Sequence, residues 1–265
     1  MPECPDFFEW NGWYYLIFSN HTVARYRMSR SPFGPWLRPV VDTFDSDISR
    51  VLKSAAFSGN RRLGVTFLPT RKDGKNDGEL LYAGNAVFRE IIQFDDGTLG
   101  SKFPPEMIPP GGSPGTLSFD LLTEGATQHE NDVRLESLEG FSAGRVADVP
   151  RDFRLSMEVT AQPNTGSFGL LLRGSEGFEG SCELRFLPFA AHVELGSQTI
   201  SGVEGLSEPF RLEVVVKDDI FDVCIGARRC LIQRAPEANG DRLFFFCRNG
   251  QVSFENIELR ELLSS

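Results

Sequence analysis

Phe7-Phe8-Glu9-Trp10-Asn11-Gly12-Trp13-Tyr14-Tyr15-Leu16-Ile17-Phe18 reads as a β-hairpin with its turn spelled out. Asn-Gly supplies the two positive φ angles of a type I′ turn, and the flanks are rich in aromatic and β-branched residues that pack on a pleated surface. Outward from this hairpin, Val23–Ser29 is the next strand, broken by the turn Ser31-Pro32-Phe33-Gly34-Pro35-Trp36. Arg62–Leu68 and Val87–Phe94 follow, the latter closed by Asp95-Asp96-Gly97-Thr98. Short strands at this spacing predict a sandwich, barrel or propeller. Further on, strands are expected at 154–161, 168–173, 182–187, 210–217, 220–225, 243–248 and 252–259, with Asp218-Asp219 as a tight turn. No segment reads as a helix of more than two turns. The Pro/Gly-rich stretch 104–115 has no apolar periodicity and is expected to be a flexible linker dividing two domains, 1–110 and 111–265. A two-sheet antiparallel sandwich is expected for the second.

Composition supports this reading and excludes several functions. Of 265 residues, 26 are Gly, 16 Pro and 23 Phe against 4 Met, a balance that favours turns and strands over helical bundles. The net charge of −10 lies wholly in the second part: residues 1–110 balance at 13 basic and 13 acidic side chains, leaving 14 against 24 beyond. An acidic chain without a Lys/Arg block lacks the footprint for nucleic acid. No apolar run approaches a membrane span, and Met1-Pro2-Glu3-Cys4-Pro5-Asp6 is no signal peptide. Five scattered cysteines without CxxC spacing imply free buried thiols in a reducing, cytoplasmic compartment.

Most local motifs carry little chemistry. Gly111-Gly112-Ser113-Pro114-Gly115 spells a nucleophile elbow but lacks the strand before and the helix after that an elbow needs. His21, His129 and His192 are too dispersed for a zinc set, and His192 reads as a strand residue. No cofactor-binding glycine fingerprint or metal-ligand set is present, so neither cofactor nor metal is expected. Asn20-His21-Thr22 spells a glycosylation acceptor and reads as a turn. Asp42-Thr43-Phe44-Asp45-Ser46-Asp47 gathers three carboxylates, either as a metal or substrate-hydroxyl site or as a solvated turn.

Glu3-Cys4-Pro5-Asp6-Phe7 resembles the acid/base motif of glycoside hydrolase family 32, the β-fructosidases. The likeness continues in collinear order. Tyr14–Ser19 is similar to the aromatic strand after that motif, and Arg27–Trp36 to a segment shared with the five-bladed family 43. Gly59–Phe67 resembles a family strand entered by Gly-x-Arg-Arg. Gly84–Ile91 with Asp96–Gly100 is similar to the end of the propeller, and Val215–Ile225 to a hairpin of the C-terminal sandwich. The resemblance implies an all-β chain: the later part of a five-bladed β-propeller, then a concanavalin- or jelly-roll-like β-sandwich. It implies Glu3 as catalytic acid/base, with Asp6 and Tyr82 as substrate contacts; Tyr82 stands where the family often has Trp. Asp45 is expected as a further substrate contact from the carboxylate run alone.

A retaining glycosidase needs one carboxyl group that can give its proton to the leaving oxygen. Cys4, Pro5 and an aromatic wall are expected to desolvate Glu3, and Asp6 to add like charge or position it. The family's nucleophile lies in an Asn-Asp-Pro segment and its stabiliser in an Arg-Asp-Pro segment; neither pattern occurs here. The resemblance therefore implies a β-fructofuranosidase-type hydrolase of sucrose or fructans whose nucleophile-bearing blades lie on an upstream propeller fragment, and no hydrolysis by this chain alone. Asp45 or Asp47 would be the next nucleophile candidates. The alternative is a non-catalytic carbohydrate-binding or interaction protein built on the sandwich.

Overall fold

The computed structural model describes residues 2–263. Its only helical segments among those residues are single 3-10 turns. The first seven strands are β1 (Glu3–Trp10), β2 (Trp13–Asn20), β3 (Val23–Ser29), β4 (Arg50–Phe57), β5 (Arg61–Arg71), β6 (Leu80–Gln93) and β7 (Leu99–Lys102). They follow one another as an antiparallel meander. The opening hairpin forms as expected: Trp10 pairs with Trp13, and Asn11 and Gly12 take φ of 49° and 75°.

β3 and β4 pair in the ladder only at Val23 and Arg50, so the meander divides into two propeller blades. β1–β3 gain a short outer partner where Leu37 pairs with Met28 and Thr43 with Arg25. β4–β7 form the second blade. The blades meet face to face through Phe8, Tyr15, Ile17 and Tyr26 on one side and Leu52, Ile91 and Leu99 on the other. Burying each such side chain contributes about 1.5–3 kcal/mol. Within the second blade Gly64 leaves room for the Leu52 and Ile91 side chains on this face, since a Cβ there would stand 2.7 Å from Leu52 Cδ1 and 3.4 Å from Ile91 Cδ1. β4 carries no sequence signal because Arg-Val-Leu-Lys-Ser-Ala-Ala-Phe buries only Leu52 fully.

The second sheet system comprises β8 (Phe119–Leu121), β9 (Ala126–His129), β10 (Asp132–Val146), β11 (Phe153–Ala161), β12 (Ser167–Gly174), β13 (Cys182–Leu187), β14 (His192–Leu195), β15 (Gln198–Ser201), β16 (Phe210–Lys217), β17 (Ile220–Ile225), β18 (Arg229–Arg234) and β19 (Arg242–Glu261). β19 explains how one ladder becomes two layers. Its first half pairs with β12 and its second half with β11. It bends at Asn249-Gly250, opposite a bulge in β10 between Ser137 and Phe141. Gly250 has φ 156°, and a Cβ there would lie 2.5 Å from Thr165 Cα. Phe168, Phe186 and Phe245 of one layer pack against Phe210 and Phe254 of the other, with centroids 5.2–6.5 Å apart.

The stretch 104–115 is not a loose linker, which corrects the expectation of flexibility. Gly112 N donates to Glu261 O at 2.9 Å, Leu263 N to Pro110 O at 3.0 Å, and Arg260 Nη1 to Gly112 O at 3.0 Å. Gly111 passes so close to Arg260 that a Cβ would meet its Cβ at 2.9 Å. The sandwich edge strand β18 is buried along its whole length beneath the blades. Its polar residues, unexpected in a buried strand, are answered from the propeller side: Arg229 Nη1 donates to Leu99 O at 2.9 Å, and Arg234 Nε to Pro69 O at 2.6 Å. Ser46 Oγ donates to Ile232 O at 2.6 Å, and Ser101 N to Arg228 O at 3.0 Å. Strand and polar patterning disagree at β18 because a second module, rather than water, covers it.

Candidate active site

An open cleft of about 730 Å³ runs along the rim of the two blades, lined by Glu3, Cys4, Thr22, Arg50, Lys53 and Tyr82 among others. The start of β1 brings Glu3 here. Glu3 pairs with Ser19 and Asp6 with Ile17, so Cys4 and Pro5 share one partner position as a β-bulge. Cys4 takes φ 52°, and Pro5 offers no N–H that the bulge would orphan. Lys53 Nζ ties the bulge down by donating to Cys4 O at 2.8 Å and Pro5 O at 2.7 Å. A bulge re-aims the side chain beside it, which is how a strand residue comes to face the cleft.

Asp6 anchors the other side of the bulge. Its Oδ2 accepts from Ser54 N at 2.8 Å and Ser54 Oγ at 2.5 Å. Arg62 Nε donates to the same hydroxyl at 2.8 Å, and its guanidinium lies 3.3 Å from the Phe8 ring centroid. Burial pulls Arg62 below its ordinary value, and Asp6 opposes that shift. Asp6 therefore ties β1 to β4 and is not among the residues lining the cleft.

The structure brings together Glu3 and Tyr82 and separates them from Asp45. Tyr82 is 85% exposed and packs edge-on against Phe67, with centroids 5.3 Å apart. Asp45 is buried against the sandwich: Oδ1 accepts from Ser46 N at 2.7 Å and Oδ2 from Arg89 Nε at 2.6 Å. Arg89 in turn donates to Asp222 of β17 at 2.9 and 2.6 Å. A substrate contact at Asp45 is corrected accordingly, since its oxygens are spent on the module interface. The three-carboxylate run is neither a metal site nor a solvated turn. Asp42 is buried under Arg25, Arg27 and Arg38, Asp45 is held by Arg89, and only Asp47 faces solvent. Among the described residues no three His, Cys, Asp or Glu side chains converge as a metal site.

The expected wall around Glu3 is also absent. Glu3, Cys4 and Pro5 are all exposed, because the bulge turns Cys4 and Pro5 outward while Lys53 takes their inward carbonyls. Sequence reasoning missed Arg50 and Lys53. Their strand has no apolar signature, so the only available clue was two basic residues three apart. Arg50 Nε is buried without a hydrogen-bond partner at the cleft. Glu3 is the sole carboxylate among the cleft-lining residues.

No protein-family model and no curated protein sequence matches the chain. Solved structures do match its fold. Fructan 1-exohydrolase IIa of Cichorium intybus, in complex with 1-kestose, aligns over all of this chain and 62% of its own, with TM-score 0.69 and 14% identity. Exo-inulinase of Aspergillus awamori aligns over 99% of this chain and 57% of its own, with TM-score 0.65 and 10% identity. A glycoside hydrolase family 32 protein of Bifidobacterium adolescentis aligns over 98% and 41%, with TM-score 0.60 and 16% identity. The chain thus has the fold of a partial five-bladed propeller followed by a β-sandwich, as in glycoside hydrolase family 32 structures, and spans between 41% and 62% of these three proteins. Among the described residues no helix is long and apolar enough to cross a membrane.

Proposed function

We propose that residues 1–110 and 111–265 are the later propeller blades and the sandwich of a retaining β-fructofuranosidase-type hydrolase, acting on terminal fructosyl linkages of sucrose or fructans in the cytoplasm. Glu3 is the acid/base: it protonates the leaving oxygen, then takes a proton from the attacking water. Tyr82 offers a ring to the sugar, and Asp6 and Lys53 hold the bulge that aims Glu3. The observation that carries this reading is Glu3 on a pinned bulge, sharing one open cleft with Tyr82. A retaining mechanism needs a second carboxylate about 5–5.5 Å from the first. In this reading it comes from blades outside these residues.

The test is Glu3→Gln in the chain completed with its upstream blades. The amide keeps the shape but delivers no proton, so sucrose turnover should fall about 10²–10⁴-fold while an activated aryl fructoside is cleaved at a nearly unchanged first step. Equal loss on both substrates assigns Glu3 a structural or binding role. One observation favours a second reading, a non-catalytic carbohydrate-binding protein: the cleft holds a single carboxylate. Saturable fructan binding by the 265-residue chain, with no hydrolysis after completion, selects it.

A further inference from the structure

The sandwich face that meets the blades carries two thiols for which the glycosidase reading has no use. Cross-strand register sets Cys224 of β17 directly opposite Cys230 of β18. Strand residues alternate between faces, so the pair shares its face with Asp222, which Arg89 binds, and Ile232, which packs on Leu68 and Val87. Both cysteines are buried, in a cluster with Phe103 that Ile108 and Val215 close. Directly opposed residues of an antiparallel pair hold their Cα atoms about 4.5–5.5 Å apart, inside the roughly 4.4–6.8 Å that a disulfide spans. The other buried thiols have no such partner: Cys182 stands opposite Leu172, and Cys247 opposite Phe168 and Ser142. The pair is also chemically asymmetric. The Cys230 thiol, hydrogen-bonded to Cys224, holds Cys224 below the ordinary thiol value, and the Arg89 guanidinium acts in the same direction; burial pushes Cys230 well above it. A cavity of about 260 Å³ between the modules leads to them. Phe103, Ile108 and Val215 both line it and cover the thiols, and exposed Met107 and Lys217 line it too, so it opens to solvent.

We propose that Cys224 and Cys230 are a dithiol that a small hydroperoxide oxidises to a cross-strand disulfide, locking the hairpin on which the module interface is built. The inference is independent of the glycosidase reading. The Cys224 thiolate attacks one peroxide oxygen, the O–O bond breaks, and the departing hydroxide takes up the proton Cys224 has lost and leaves as water. Cys224 is then a sulfenic acid. The Cys230 sulfur attacks it, the S–O bond breaks, and a second water leaves with the Cys230 proton. Two thiols lose two electrons and one peroxide becomes two waters. The crosslink closes the turn between β17 and β18. It thereby fixes Asp222 against Arg89, and Arg229 and Arg234 against the carbonyls of Leu99 and Pro69.

The test takes the 265-residue chain with Cys4 capped by N-ethylmaleimide, adds hydrogen peroxide, quenches with catalase and denatures in iodoacetamide. Trypsin cuts after Lys217, Arg228, Arg229 and Arg234, so the disulfide joins peptides 218–228 and 230–234. That joined pair is expected, with Cys182 and Cys247 alkylated, and dithiothreitol should separate it. Oxidation should raise the urea midpoint by about 1 M. In Cys230→Ser the midpoint should not rise, and denaturation in dimedone should trap the sulfenic acid at Cys224. Circular dichroism checks that this variant folds; if it does not, the peptide map of the unsubstituted chain decides. Full alkylation of Cys224 and Cys230 after peroxide overturns the proposal. So does a crosslink through Cys182 or Cys247, a crosslink that forms only in urea, or a crosslinked protein whose midpoint is unchanged.

Discussion

Arg89→Met tests whether the blades and the sandwich fold as one unit. Arg89 is 1% exposed and donates to Asp45, to both oxygens of Asp222 and, at 3.2 Å, to Phe88 O. Methionine fills much of the same space but leaves two carboxylates stranded at the module interface. Breaking a buried ion pair from one side costs about 3–5 kcal/mol. At an m-value of about 2–3 kcal/mol/M, the urea midpoint should fall by roughly 1–2 M at pH 7.5. Burial, with Asp45 repelling it and Arg89 opposing, pushes Asp222 up to about 6, above its ordinary ~3.9. A carboxyl group raised on folding contributes stability that is complete below its unfolded value and is lost as pH rises through about 6. Without the opposing Arg89 charge, Asp222 holds its proton to higher pH, so the penalty should be smaller at pH 5 than at pH 7.5. All three tryptophans, at 10, 13 and 36, lie in the first blade region, so their emission reports on the blades while far-ultraviolet dichroism weighs the whole chain. The two signals should coincide in the native protein and separate in Arg89→Met. Adding Asp45→Asn and Asp222→Asn should recover most of the loss, because the triple variant buries no charge. An unchanged midpoint at pH 7.5, or an equal penalty at both pH values, refutes the reasoning.

Proteolytic nicking within residues 104–115 should leave the two parts associated on a sizing column under native conditions, since β18 and Arg89 hold them together; free sandwich after the cut would contradict that. N-ethylmaleimide should modify only Cys4 in the folded protein, with Cys182, Cys224, Cys230 and Cys247 reacting after denaturation; burial pushes the Cys182 and Cys247 thiols up to about 12, and intact-mass spectrometry reads the count. Gly250→Ala forces a Cβ onto the Thr165 backbone at 2.5 Å and should destabilise by about 1–3 kcal/mol in thermal unfolding, whereas Gly59→Ala meets nothing within 4 Å and should cost only its positive-φ strain of about 1 kcal/mol. Asp6→Asn weakens two hydrogen bonds to Ser54 and should lower stability by about 1–2 kcal/mol without closing the cleft, as measured by chemical denaturation.

The strands that could be read from the sequence are those whose burial alternates locally. Trp13–Asn20, Phe153–Ala161 and Phe210–Lys217 bury every second side chain, and a period of two is visible in any one-dimensional string. The hairpin turn was equally legible, because Asn-Gly satisfies a purely local φ requirement. Glu3 and Tyr82 were nameable for a different reason: each sits in a short pattern resembling a family segment. What remained hidden depends on partners distant in the chain. Asp45 looked like a free carboxylate until Arg89, 44 residues away, and Asp222 beyond it closed around it. β18 is absent from the strands expected from the sequence, because its arginines break the apolar pattern and a carbonyl acceptor at Leu99 or Pro69 leaves no mark on the sequence near an arginine. By itself the sequence determined an all-β chain, its turn positions and its inward-facing positions, since those follow from backbone dihedrals and local alternation. Only the tertiary structure decided which charges are spent on holding the modules together and which, Glu3 and Arg50, stand at an open cleft, because desolvation and pairing are properties of neighbours in space.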